Sequence, residues 1–440
     1  MELSALKDIL KNGGIVGAGG AGFPSYAKLD KKADTIVLNC AECEPLFNLH
    51  RQLLAKFARE ILTALEEVRK AVEAERVIIA VKPTYTNAID AVKFYLPEFK
   101  NTTISLLPEI YPAGDEVVTI YETTGRIVKP GNLPISVGVT VYNVETMLNA
   151  YYAIKEAKGI THKYVVVAGE VKHPVMLRVP LGMKYKDVVA LAGGETVKDY
   201  TYLNGGVMTG FLATDNNVIT KTSNAILVFP SDHPVILKRR TKTQISIARA
   251  MSTCCQCRSC TDLCSRHTLG YPIEPHKFMR AVSKGMDSDA SAVLNSMFCS
   301  QCGLCELYAC PQGLSPRTLI GVAKGELRKN GVKPEIPEFT GVDPDRDYKR
   351  VPMHRLLARL GLTQYNVGAD FVEEELKPQE VKILMSQHIG PPCTPTVKTG
   401  DTVNAGDVVG TPGDKLGACI HASISGKVSA VADGYIIIKR

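Results

Sequence analysis

The stretch CCQCRSCTDLC, Cys254 to Cys264, and its counterpart CSQCGLCELYACP, Cys299 to Pro311, hold nine of the thirteen cysteines in the chain. In the first, Cys254, Cys257, Cys260 and Cys264 read CxxCxxCxxxC, with Cys255 an extra thiol beside the series. In the second, Cys299, Cys302 and Cys305 repeat CxxCxxC, and Cys310 follows after four residues. Three thiolates at three-residue steps wrap one corner of a cubane and a fourth from a distant position closes the site, which is how such runs hold a 4Fe–4S cluster. Structural zinc, which more often takes two separated CxxC pairs, and disulfides are the competing readings.

The double run resembles two-cluster ferredoxins, in which the trailing cysteine of each run ligates the other cluster. On that pattern Cys254, Cys257 and Cys260 join Cys310, while Cys299, Cys302 and Cys305 join Cys264. One departure is Ser265, where proline usually follows the last cysteine.

Composition is that of a globular chain, 45% hydrophobic and 22% charged, and 440 residues leave room for about three or four domains. No apolar run approaches the roughly eighteen residues that span a bilayer, and MELSALKDILKNGG reads as an amphipathic helix, not a signal peptide. These features point to a cytoplasmic protein. The net charge of +7 is spread along the chain, and basic runs such as Lys238 to Arg240 come with no nucleic-acid module, which argues against a nucleic-acid partner.

Upstream, GIVGAGGAGFPSYAKL spans residues 14 to 29. Gly17, Gly19 and Gly22 formally satisfy the dinucleotide fingerprint GxGxxG, yet a helix precedes them where that fingerprint needs a strand. The loop reads instead as a cradle of backbone amides for a phosphate, with Lys28 as counter-charge. The strand TIVLN, 35 to 39, runs into CAECEP and places Glu42 and Glu44 at its carboxyl edge, where ligands of open α/β sheets sit. Cys40 and Cys43 form a lone CxxC, for which zinc and a redox disulfide are both weak readings. A long helix over 51 to 74, the strand RVIIAVKP and the helix NAIDAVKFYL continue an α/β alternation.

Four ordered motifs then carry a family resemblance: GxGGAGFP with Lys28, N-x-x-E-x-E-P from Asn39, YPAGDE at 111 to 116, and NVET at 143 to 146. They are similar to the flavin- and NADH-binding domain shared by the NADH-oxidising subunit of respiratory complex I and the Rnf C protein. The resemblance implies FMN contacts at Gly17, Gly19, Gly20, Gly22, Lys28, Asn39, Asn143 and Thr146. It also implies that Phe23, Glu42, Glu44 and Glu116 flank the nicotinamide path. Complex I has Asn where this chain has Tyr142.

The rest of the chain follows the same relatives. The expected architecture is an α/β flavin/NADH-binding domain (1–160), an SLBB β-grasp domain (161–235), a helical two-cluster ferredoxin-like domain (245–330), an irregular Pro- and charge-rich connector (331–380) and an all-β barrel-sandwich domain (381–440) similar to lipoyl and biotinyl carriers. Lys415, after Asp414, stands near the place of a lipoyl lysine, while the biotinyl Met-Lys-Met is absent.

NADH gives two electrons as a hydride and an iron–sulfur cluster carries one, so a flavin must stand between them. In Rnf C the barrel-sandwich domain precedes the flavin domain; here it closes the chain. That order, with the four-residue spacing before Cys310, resembles the cobalamin reductases of propanediol-utilising bacterial microcompartments. It implies reduction of cob(III)alamin towards cob(II)alamin and cob(I)alamin, a corrinoid adenosyltransferase as partner, a place inside the compartment and contact with its shell proteins. No DxHxxG motif is present to hold cobalamin through a histidine. The alternatives are an Rnf-type electron-input subunit and a compartment scaffold with vestigial clusters.

Overall fold

Thr35–Cys40 (β1) is apolar on both faces because it is covered on both: Ile36, Leu38 and Cys40 point into one core, and Val37 into a second. The computed structural model describes residues 1–336 and 338–440. In its first domain β1 lies between Arg76–Val81 (β2) and Val139–Asn143 (β5), with Thr102–Leu106 (β3) outside β2; every pair is parallel. Leu3–Asn12 (α1), Leu49–Lys56 (α2), Ala58–Val72 (α3), Thr86–Tyr95 (α4) and Val144–Glu156 (α6) supply the first core, whereas Glu116–Thr124 (α5) covers the other face after the short strand Ile110–Tyr111 (β4).

The single helix expected over 51 to 74 is two helices. It breaks at Phe57 (φ −118°, ψ 35°), whose ring tilts against Tyr164 at 6.3 Å; the break lets α2 follow α4 while α3 lies along α6.

The β-grasp region is a sheet of His162–Gly169 (β6), Val175–Pro180 (β7), Tyr200–Asn204 (β8), Phe211–Ala213 (β9) and Ala225–Pro230 (β10), with the helix Tyr185–Leu191 (α7) against it. Its outermost strand, Asp370–Val372 (β12), arrives from the segment expected to be irregular and runs parallel to β7. The same segment supplies Val351–Pro352 (β11), antiparallel to β4, and the helix Met353–Arg359. Strands of two or three residues have no periodicity of their own, so only their tertiary partners reveal them.

Helices Thr243–Thr253, Pro275–Lys284 and Pro316–Lys329 enclose a separate small core of Ala250, Phe278, Met279, Leu314, Leu319 and Ile320. The C-terminal region forms a four-stranded and a three-stranded sheet. This last domain docks onto the first: Ile389 N donates to Gly22 O (3.0 Å), and the buried Lys221 Nζ bridges Gly14 O (2.8 Å) and Cys419 O (2.6 Å).

Candidate functional site

The glycine loop faces a cleft of about 760 Å³ walled by Gly17, Gly19, Gly20, Gly22, Phe23, Lys28, Asn39, Glu116, Asn143 and Thr146, with Ser25, Val141 and Tyr142. Gly17 N and Ala18 N are satisfied by Phe23 O (2.9 Å) and Thr146 Oγ1 (3.0 Å). The next four amides, Gly19 to Gly22, have no acceptor among the described residues. Consecutive unpaired amides along a cleft make an anion nest, which fits a flavin phosphate. The helix whose N-terminus abuts the loop is α6, capped by Asn143 Oδ1 on Glu145 N (3.0 Å); Ser25–Lys28 is only a short 3₁₀ turn.

Lys28 is in the wall, but its charge is committed. Its Nζ pairs with Glu116 Oε1 at 2.9 Å and donates to Val141 O at 3.0 Å, so what the cleft offers an anion is the loop amides and not a free cation. Beyond this pair the cleft continues into a more apolar hollow of about 740 Å³ lined by Phe23, Leu133, Pro134, Ile135 and Val139.

Glu42 and Glu44, expected along the nicotinamide path, do not line the cleft; backbone amides claim both carboxylates. Glu42, its side chain fully buried and its backbone at φ +40°, accepts from His50 N (2.7 Å) at the start of α2. Burial pushes its carboxyl above the usual range against the pull of Arg51 and these amides. Glu44 accepts from Met208 N (2.8 Å) and Thr209 N (3.0 Å) in the β-grasp domain. Glu42→Ala is therefore expected to destabilise the protein by about 1–3 kcal/mol, as loss of a charged helix cap does, seen as a lower denaturation midpoint.

His50 carries no sequence signal, yet its Nε2 lies 3.1 Å from Asn143 Nδ2. Burial pushes the imidazole down to about 3, so the neutral ring accepts from the amide and orients it. Asn39 is held likewise, Nδ2 donating to Gly114 O (3.0 Å) and Oδ1 accepting from Ala41 N (3.0 Å).

The cysteines gather around two hollows. Cys254, Cys257, Cys260 and Cys310 line one, beside Cys255; Cys264, Cys299, Cys302 and Cys305 line the other. Each hollow thus takes a triplet from one run and the trailing cysteine of the other. The two triplets share a backbone trace, left-handed just before and just after the middle cysteine: Gln256 and Arg258 around Cys257, Gln301 and Gly303 around Cys302. These turns point three thiols inward from seven residues.

Amides approach the sulfurs, Gln301 N at 3.3 Å from Cys299 Sγ and Leu314 N at 3.3 Å from Cys310 Sγ, as thiolate ligands require. Among the described residues no three His, Cys, Asp or Glu side chains converge as closely as one metal ion needs. The thiols ring spaces instead, which suits a cubane better than zinc. Burial pushes Cys260, Cys264 and Cys302 up to about 12, so ligation must displace their protons. Lys324, whose Nζ donates to Cys299 O (2.6 Å), and Arg317 bring positive charge to the second hollow.

Lys415 is exposed on a turn held against α1 by Lys11 Nζ to Gly413 O (2.9 Å). Cys40 and Cys43 are separate from both hollows, and burial raises both thiols.

A glycine-loop cleft with unpaired amides and two four-cysteine hollows in one chain fit a flavin and iron–sulfur oxidoreductase. Family comparisons agree domain by domain: the Nuo51 FMN-binding domain matches residues 10–152, the SLBB domain 164–212, the 4Fe-4S dicluster domain 253–315 and the RnfC barrel sandwich hybrid domain 367–439. The chain belongs to the cobalamin reductase PduS family: it is 40% identical to the Salmonella typhimurium member over 100% of its own length and 98% of that protein. It is also 31% identical, over 61% of its length and 59% of the other, to the C component of the Na(+)-translocating ferredoxin:NAD(+) oxidoreductase complex of Acetobacterium woodii. An NAD+-reducing [NiFe]-hydrogenase structure shares the fold, with TM-score 0.51 and 20% identity over 77% of this chain and 64% of that one.

Proposed function

We propose that this protein oxidises NADH and delivers the electrons singly to cobalamin, taking cob(III)alamin towards cob(II)alamin and cob(I)alamin. The observation that carries this reading is end-to-end similarity to a cobalamin reductase, with the barrel-sandwich domain at the C-terminus. FMN, when bound, accepts the hydride and gives up electrons one at a time. The amides of Gly19 to Gly22 hold its phosphate, and Asn39, Asn143 and Thr146 line its cleft. Phe23 and Glu116, which wall both the cleft and the adjoining hollow, flank the approach of NADH. The eight cysteines hold two 4Fe–4S clusters.

No helix among the described residues is long and apolar enough to cross a membrane. A corrinoid adenosyltransferase would take the reduced product, and we place the protein inside a bacterial microcompartment, against its shell proteins.

Anaerobic purification should give a brown protein with about eight iron atoms and one FMN, whose visible band bleaches on NADH. Mixed with hydroxocobalamin, the reduced protein should change the corrin spectrum faster than free reduced FMN does. Two zinc ions and no flavin would end the oxidoreductase reading. A corrin no faster than with free reduced FMN would leave an Rnf-type input protein serving another redox partner.

A further inference from the structure

The two cysteine hollows differ in what stands beside them. Residues 111 to 116 connect one of them to the glycine cleft. At one end, the buried Tyr111 donates from Oη to Cys302 O at 2.5 Å, in the hollow that Cys264 shares with the second triplet. Asp115 Oδ2 accepts from Arg266 Nε (3.1 Å) and Nη2 (3.0 Å), two residues past Cys264, with both side chains largely buried. At the other end, Gly114 O holds Asn39, and Glu116 holds Lys28, both in the cleft wall. β11 pairs with β4 and keeps Tyr111 in place.

Among the described residues nothing comparable reaches the other hollow. Its walls come from the helical domain, including His276, Met279 and Leu314, and its outer side is the exposed loop from Cys255 to Arg258. Electron transfer weakens steeply with distance and runs best along bonded paths. One set therefore sits on a bonded path from the cleft, and the other opens to solvent.

We infer that Cys264, Cys299, Cys302 and Cys305 form the inner cluster site, coupled to the flavin cleft through 111–116 with Tyr111 as its positioning residue, and that Cys254, Cys257, Cys260 and Cys310 form the outer site from which electrons leave. The inference rests on the proposed function. For each NADH oxidised to NAD+ with release of one proton, two electrons pass singly from the cleft to the inner site and then to the outer one, reducing two one-electron acceptors.

The test uses anaerobically purified holoprotein and freeze-quench EPR after mixing with NADH. Cys257→Ala should leave the inner cluster reduced at the wild-type rate while hydroxocobalamin reduction falls at least tenfold. Cys302→Ala should let the flavin bleach while the outer cluster is reduced at least tenfold more slowly. Tyr111→Phe keeps the ring and its packing, so iron and FMN content should match wild type while inner-cluster reduction slows several-fold. That change separates positioning from a structural role, and with Cys257→Ala it decides the matter if Cys302→Ala does not fold. An outer cluster reduced at the wild-type rate in Cys302→Ala, an inner cluster left oxidised in Cys257→Ala, or an unchanged rate in Tyr111→Phe overturns the order. If NADH leaves the wild-type flavin oxidised, the functional reading fails instead, and photoreduction of the flavin then reads the cluster order in the same variants.

Discussion

A Gly19→Val variant is expected to be purified with its iron but without its flavin. A Cβ at position 19 would lie 2.5 Å from Asn143 Nδ2 and 3.0 Å from its Cγ, so the Asn143 side chain must move. That side chain caps α6 and is oriented by His50, so it cannot yield without uncapping the helix beside the loop. Overpacking and a lost cap together cost about 2–4 kcal/mol of stability, and because the displaced Asn143 walls the cleft, FMN affinity should fall by roughly tenfold or more. Flavin fluorescence titration against a constant iron content measures it. Affinity within threefold of wild type would show that the loop does not carry the phosphate. Lys28→Ala should act in the same direction by charge, leaving the Glu116 carboxylate unpaired beside an anion site.

The second large effect concerns the seam between the first two domains. Glu145 and Lys163 form an ion pair with both side chains at most 1% exposed. Lys163 Nζ also donates to Asn224 Oδ1 (2.8 Å), and Glu145 Oε1 accepts from Tyr164 N (3.0 Å). Burial pushes the carboxyl up and the ammonium down, each opposed by its partner. Lys163→Met would leave an uncompensated buried carboxylate and should destabilise the protein by about 3–5 kcal/mol, measured as the shift in urea midpoint. Adding Glu145→Met should recover part of the loss, because an apolar pair of similar volume costs less than one stranded charge. A double variant less stable than Lys163→Met would show that the pair is not the source of the effect.

Legibility from sequence varied with how local each feature is. The cysteine triplets were readable because seven residues and two left-handed turns bring three thiols together without help from the rest of the fold. The glycine loop was readable because unpaired amides follow from its own backbone. The break at Phe57 was not, since it answers to Tyr164 more than a hundred residues away. Nor were the strands hidden in 331–380, which exist only as partners of β4 and β7.

Glu42 and Glu44 show the limit most plainly. Acidic residues at a strand's carboxyl edge look like ligand contacts, but the same edge exposes helix and loop amides that need acceptors, and here those amides take both carboxylates. His50 was invisible because its role depends on Asn143, at the end of a neighbouring strand 93 positions further along the chain.

What the sequence by itself determined is the kind of chemistry on offer: two sets of thiols spaced for cubanes, a glycine loop suited to an anion, and domains in an order that resembles the cobalamin reductase family. What only the tertiary structure decided is the layout: which cysteine set stands beside the glycine cleft, which faces solvent, and which carboxylates are taken up by packing. Ligand spacing is set by neighbours a few residues apart and survives in the order of the residues, whereas proximity between sites depends on segments such as 111–116 meeting residues about 190 positions away, which no local pattern encodes.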